Sequence, residues 1–193
     1  MNIRIKALIG CLFVAVVVSN PFSVAAQNYS IINRWNTKLV YSSYQNFGHP
    51  GMRSSITPAF QAEANYGLLS FLEVGAYTGY SNIYTLNEIA VGDGVFSGSL
   101  EATNAYFYGL NTNVHLLPFL LKTKKFRVDL YASAKCGGFY RASDKGSWPE
   151  RGHTLDYGIY AGTAFYFGEH FGLFGEYGLG NNTNHRFGLS FKF

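Results

Sequence analysis

Residues 56–66 read Ile-Thr-Pro-Ala-Phe-Gln-Ala-Glu-Ala-Asn-Tyr. Every second side chain is apolar: Ile56, Pro58, Phe60, Ala62, Ala64 and Tyr66 share one face, with Gln61, Glu63 and Asn65 on the other. A period of two is the signature of a β-strand with two chemically different faces. The pattern recurs on both sides of this stretch. Residues 126–140 set Phe126, Val128, Leu130, Ala132, Ala134, Cys136 and Tyr140 against Arg127, Asp129, Ser133, Lys135 and Gly137. Residues 102–116 set Tyr106, Tyr108, Leu110, Val114 and Leu116 against Gly109, Asn111, Asn113 and His115. Segments 71–80, 155–167, 171–179 and 186–193 alternate in the same way, and 35–44 does so more weakly. Eight strands of roughly 9 to 15 residues are predicted, where about 9–11 are needed to cross a bilayer at a tilt.

The connections alternate in length. Those at 45–53, 81–101, 141–154 and 180–185 are longer and more polar. Those at 67–70 and 168–170 are tight, and 117–125 is intermediate, with Lys122, Lys124 and Lys125. An even number of antiparallel strands, with long connections at one end and short ones at the other, is the layout of a membrane barrel with periplasmic turns and outer loops. The prediction is therefore all-β: an eight-stranded antiparallel up-and-down transmembrane β-barrel.

Composition supports a membrane rather than an aqueous setting. Charged residues are 13% of the 193, aromatics are 18%, and there are 22 glycines. An ordinary soluble domain carries about 25% charged residues. No stretch after residue 26 is apolar enough for a membrane helix, whereas a closed barrel satisfies its backbone between strands without one. A soluble barrel would turn its polar face to water. Here that face is Gly, Ala, Ser and Asn with isolated charges, which suits a narrow eight-stranded interior filled by side chains. The aromatic face suits lipid. Tyr80, Tyr106, Tyr140, Tyr157 and Tyr177 fall at the predicted outer ends, and Phe126, Phe165, Phe171 and Phe193 at the periplasmic ends. Two such girdles are expected at the two interfaces.

The first 26 residues have a separate job. Arg4 and Lys6 precede an apolar run from Ala7 to Val18, and Val24, Ala25 and Ala26 offer a small-residue cleavage site. This is the layout of a secretory signal peptide, leaving 27–193 as one barrel domain. Cys11 ends a lipoprotein-like box, but the apolar run continues through it, which argues against lipidation. Two of the four units of net positive charge belong to Arg4 and Lys6, so the basic balance implies no nucleic-acid partner. Cys136 is then alone, which rules out an intrachain disulfide.

Little in the chain points to catalysis. His49, His115, His153, His170 and His185 are not paired at metal-ligand spacing, and no cofactor or metal is expected. His115 is expected to face the lumen in a hydrogen-bonding role. The Gly-rich run 167–180 alternates with aromatics, as a curved strand would, and is not a phosphate loop. The polar face carries a balanced set of charges: Glu63, Glu73, Asp129, Asp156 and Glu176 against Lys38, Arg127, Lys135, Arg186 and Lys192. Unpaired charges in a narrow lumen are costly. These ten are therefore expected to pair and plug it, with Lys38 or Arg127 bridging Glu63 and Glu73.

The outward aromatic strands, the alternating loop lengths and the last strand, Arg-Phe-Gly-Leu-Ser-Phe-Lys-Phe at 186–193, resemble small outer-membrane barrels of the OmpA/OmpX-like class. The runs Leu-Pro-Phe-Leu-Leu-Lys at 117–122 and Phe-Arg-Val-Asp-Leu-Tyr at 126–131 are similar to uncharacterised barrel proteins of the Bacteroidota. The resemblance implies the outer membrane as location, and lipids and the barrel-assembly machinery as partners, with terminal Phe193 as the assembly signal. The expected role is non-enzymatic. It is structural or interactive through loops 45–53, 81–101 and 141–154, as a subunit of a larger envelope assembly with other envelope proteins. The alternatives are a narrow pore for small solutes and a lipid A-modifying enzyme. The latter would need polar residues on the outward wall, where the sequence has almost none.

Overall fold

A computed structural model describes residues 31–44, 57–91, 95–120, 127–142 and 152–193. The proposed signal peptide 1–26 with Cys11, and the segment 45–56, lie outside the described residues. Eight strands follow one another: β1 (Trp35–Tyr44), β2 (Thr57–Leu69), β3 (Leu72–Val91), β4 (Val95–His115), β5 (Val128–Ala142), β6 (Gly152–Tyr166), β7 (Phe171–Gly180) and β8 (His185–Lys192). A single helical turn, α1 (Leu117–Leu120), follows β4. Each strand pairs antiparallel with its neighbour in sequence, and β1 pairs with β8, so the sheet closes into a barrel. Closure removes every edge from the ring itself.

The two ends of the barrel differ. At one end lie both termini of the ring, with Trp35 N–H donating to Phe193 C=O (3.2 Å) and Phe193 N–H to Trp35 C=O (2.9 Å). The tight turns Ser70–Phe71 and 167–170, and α1, are at this same end. The chain enters β1 through Asn33, whose positive φ of 59° is a conformation that Asn tolerates. Asn33 N–H donates to Gly67 C=O, and Gly67 N–H to Arg34 C=O. A Cβ on Gly67 would collide with the Ile31 carbonyl, so only glycine lets this entry segment cross β2.

The far end departs from the sequence reading. The connection expected at 81–101 is largely strand. Its pairing with β2 stops at Ala59↔Ser81 and that of β4 with β5 at Asn104↔Ala142. Beyond these, among the described residues, β3 and β4 pair only with each other for nine more positions, from Ile83↔Thr103 to Val91↔Val95. At about 3.3 Å per residue this two-stranded ribbon extends roughly 30 Å past the ring. The polar residues scattered through it hid the alternation. Its register nevertheless matches Leu86 with Leu100, Ala90 with Phe96 and Val91 with Val95. Arg141 and Ala142 likewise belong to β5 and Gly152 to Thr154 to β6, so the connection expected at 141–154 shrinks to 143–151, outside the described residues.

Burial shows which face is inside. Leu179 is 84% exposed, Leu110 70% and Ile159 69%, whereas Lys38 is 2% exposed and Arg186 1%. That is the reverse of a water-soluble barrel. Apolar area left on the exterior favours a hydrocarbon surround at about 25 cal/mol per Å², and the polar set is turned into a lumen too narrow for bulk water.

Candidate functional site

The lumen is packed with side chains in three layers. The layer nearest the termini is built from Glu73 on β3, His115 on β4, Asp129 on β5 and Lys192 on β8. His115 Nδ1 lies 2.8 Å from Asp129, and its Nε2 lies 3.3 Å from Glu73. Each ring nitrogen thus faces a carboxylate, an arrangement in which the imidazolium has an N–H for both. Lys192 Nζ stands 3.7 Å from Asp129 and 3.8 Å from the centre of the Tyr166 ring. Amides complete the shell: Asn36 and Asn113 donate to Glu73 at 3.2 and 3.1 Å. Ser190 donates to Asn36 at 2.8 Å and meets the Tyr166 hydroxyl at 3.1 Å.

The middle layer is a chain of four charges across the β7–β8–β1–β2 wall. Lys38 pairs with Glu176 at 3.0 Å, Glu176 with Arg186 at 2.6 Å, and Arg186 in turn with Glu63. Tyr131 donates to Glu176 at 2.8 Å and Asn111 to Glu63 at 3.1 Å. The Lys38 ammonium also sits 4.2 Å from the centre of the Tyr131 ring, where the ring quadrupole favours a cation. Room for that ring comes from Gly162, where a Cβ would stand 2.5 Å from it.

The third layer closes the far half. Asp156 accepts from Tyr77 (2.7 Å), Asn182 (2.8 Å) and Lys135 (3.1 Å). Around it Phe107 and Phe139, with ring centres 5.0 Å apart, join Tyr77, Ala59 and Ala105 in one buried cluster. Gly109 leaves space for Tyr77, whose ring would stand 2.8 Å from a Cβ there.

Of the ten charges singled out in the sequence, Lys38, Glu63, Glu73, Asp129, Lys135, Asp156, Glu176, Arg186 and Lys192 lie buried in the lumen. Arg127 does not join them. It precedes β5, is half-buried, and makes no ion pair among the described residues; its carbonyl accepts from Tyr166 N–H. The bridge expected of Lys38 or Arg127 is made otherwise. Glu63 meets Arg186, and Glu73 meets His115. Five acids therefore face four Lys or Arg cations, and His115 stands where the fifth was sought. Its place on the polar face of β4 was readable, but its position between two carboxylates depends on the stagger of β3, β4 and β5. Phe193, 70% exposed, sits at the β1–β8 seam.

No family model matches the sequence, and no curated protein does. Among solved structures, the chain is similar to the outer membrane protein OprG of Pseudomonas aeruginosa, with a TM-score of 0.55 and 9% identity, covering 85% of this chain and 97% of that one. The N-terminal β-barrel domain of Pseudomonas aeruginosa OprF aligns with a TM-score of 0.48 and 17% identity over 84% and 98%. This chain's closed antiparallel ring, with its apolar face outward, has the fold of a small outer-membrane β-barrel.

Proposed function

We propose that this chain is a non-enzymatic outer-membrane barrel, closed to ions, that acts as a structural or interaction element through the connections and ribbon at its far end. The observation that carries the reading is the bonding of the luminal charges to one another across the lumen, below a ring of packed aromatics. Charges so paired plug the barrel and leave no solvated path of one sign. In this reading the terminus end, with its tight turns, faces the periplasm and the β3–β4 ribbon lies outside, the arrangement usual for such barrels. The reading includes export with cleavage after residue 26 and a kinship of 117–122 and 126–131 with Bacteroidota barrel proteins. Partners in this reading are outer-membrane lipids, the barrel-assembly machinery and other envelope proteins.

The test has four readouts. Fractionation should place the chain in the outer membrane, as a species that migrates faster on SDS gels unboiled than boiled. A protease site inserted at 92–94 should be cut on intact cells, and one inserted at Ser70 should not. In planar bilayers the wild type should show little steady conductance. A large stable open channel would replace the plug with the narrow-pore reading. A change in lipid A mass when the chain is expressed would point to the lipid-modifying enzyme.

A further inference from the structure

The exterior wall is not uniform around the ring. Over β2 and β3, on the far-end side of mid-height, its side chains are small: Ala62, Ala64, Ala76 and Thr78, all exposed and paired in register as Ala62↔Thr78 and Ala64↔Ala76. Taller residues stand on either side. Leu39, which pairs with Ala62, and Leu189 and Leu173 beyond it continue the same cross-strand row, and Tyr41, Phe60 and Phe187 form the next row towards the far end. Tyr41 packs on both Phe60 (5.5 Å) and Phe187 (4.9 Å). The resulting groove holds about 890 Å³, within the roughly 300–1,000 Å³ of ligand clefts. Its lining is almost wholly apolar, as an acyl chain requires.

The groove continues into a surface of different chemistry. Tyr80 and Tyr106 line it and also begin an aromatic row crossing four strands at one height. Ring centres are 5.5 Å apart for Tyr80–Tyr106, 6.4 Å for Tyr106–Tyr140 and 4.6 Å for Tyr140–His153. Amides lie beside the row: the Tyr80 hydroxyl bonds the side-chain oxygens of Asn82 and Asn104 (2.8 Å to the latter). This orients their amide N–H groups away from Tyr80. Flat rings beside amides and hydroxyls are suited to sugar rings, whose C–H faces stack and whose hydroxyls need donors and acceptors.

We propose that the groove and the aromatic row form one binding site for an outer-leaflet glycolipid, with an acyl chain in the Ala62–Thr78 trough and the sugar headgroup on Tyr80, Asn104 and Tyr106. The inference rests on the membrane reading above, in which this height is the outer interface. The amphipathic sequence of the two surfaces, apolar below and sugar-binding above, selects this occupant over a phospholipid.

The test is lipid retention by the refolded full chain in detergent, measured by native mass spectrometry. The probes are lipid A, an uncharged glucosyl diacylglycerol and phosphatidylethanolamine. The unboiled gel shift is read on each sample, so that failure of the barrel reading is distinguished from failure of the site. Wild type should retain one glycolipid and release phosphatidylethanolamine. Retention of both glycolipids assigns recognition to the sugar; retention of lipid A alone assigns it to the phosphorylated saccharide. Thr78→Trp fills the trough and should abolish retention. Asn104→Leu removes headgroup hydrogen bonds and should weaken glycolipid binding about ten-fold. Equal retention of phosphatidylethanolamine, or undiminished glycolipid binding by gel-shift-competent Thr78→Trp, overturns the proposal.

Discussion

The two halves of the lumen are sealed by different means. Near the termini the seal is ionic: eight charged or ionisable side chains, from Lys38 to Lys192, interlock across strands that are not all neighbours. In the far half it is mostly steric, with Phe107, Phe139 and Tyr77 packed around the single pair Lys135–Asp156. An ionic seal fails when one partner is removed, because the remaining charge is left buried and unpaired. A steric seal fails by the volume removed. The two stand in series along one lumen, so in the closed-barrel proposal either alone is expected to hold back ions.

The largest expected effect comes from breaking both at once. Arg186→Ala combined with Phe107→Ala and Phe139→Ala should turn a closed barrel into a steady channel in planar bilayers, while each seal broken singly leaves conductance low. A steady channel from Arg186→Ala alone would show that the aromatic seal does not hold. Next in size is the stability cost of Arg186→Ala, which strands Glu63 and leaves Glu176 with Lys38 as its cation. A buried pair that loses one partner costs about 3–5 kcal/mol, read as a lower urea midpoint for loss of the fast-migrating band. Glu63→Gln in the same background should restore part of that loss, since it removes one stranded charge. Gly162→Ala should cost less, about 1–3 kcal/mol, by forcing the Tyr131 ring from its seat. The matched change Gly168→Ala, where nothing lies within 4 Å of an added Cβ, controls for it. The smallest effect belongs to Arg127→Ala, expected within about 0.5 kcal/mol of wild type and with unchanged conductance. A clear destabilisation there would place Arg127 in the ionic seal after all.

That ordering also marks what alternation reveals. Period two assigns a face, so the placement of Lys38, Glu176 or Arg186 on the polar side of a strand is legible at once. It does not assign a partner. Lys38 stands opposite Glu63 in the β1–β2 register, yet its ammonium reaches Glu176, because a narrow lumen brings side chains of several strands to one axis. Nor does it mark where a strand begins. Arg127 continues the parity of Asp129 but lies one residue before β5. The ribbon was missed for the opposite reason. Two strands that pair, among the described residues, only with each other need no apolar face against a core, so 83–103 carries little of the alternation that betrays the wall strands.

The seam between β1 and β8 bears on how such a ring can be made. Ser190 and Asn36, bonded in the deepest layer, are 154 positions apart, and Lys38 and Glu176 are 138 apart. Neither contact can exist until nearly the whole chain has been synthesised and delivered. A seven-stranded product would present β1 and β7 to lipid as open edges, at several kcal/mol for each backbone group left unsatisfied. Docking of the eight-residue β8 therefore completes the backbone pairing of the ring and the luminal contacts of Arg186, Ser190 and Lys192 in one step.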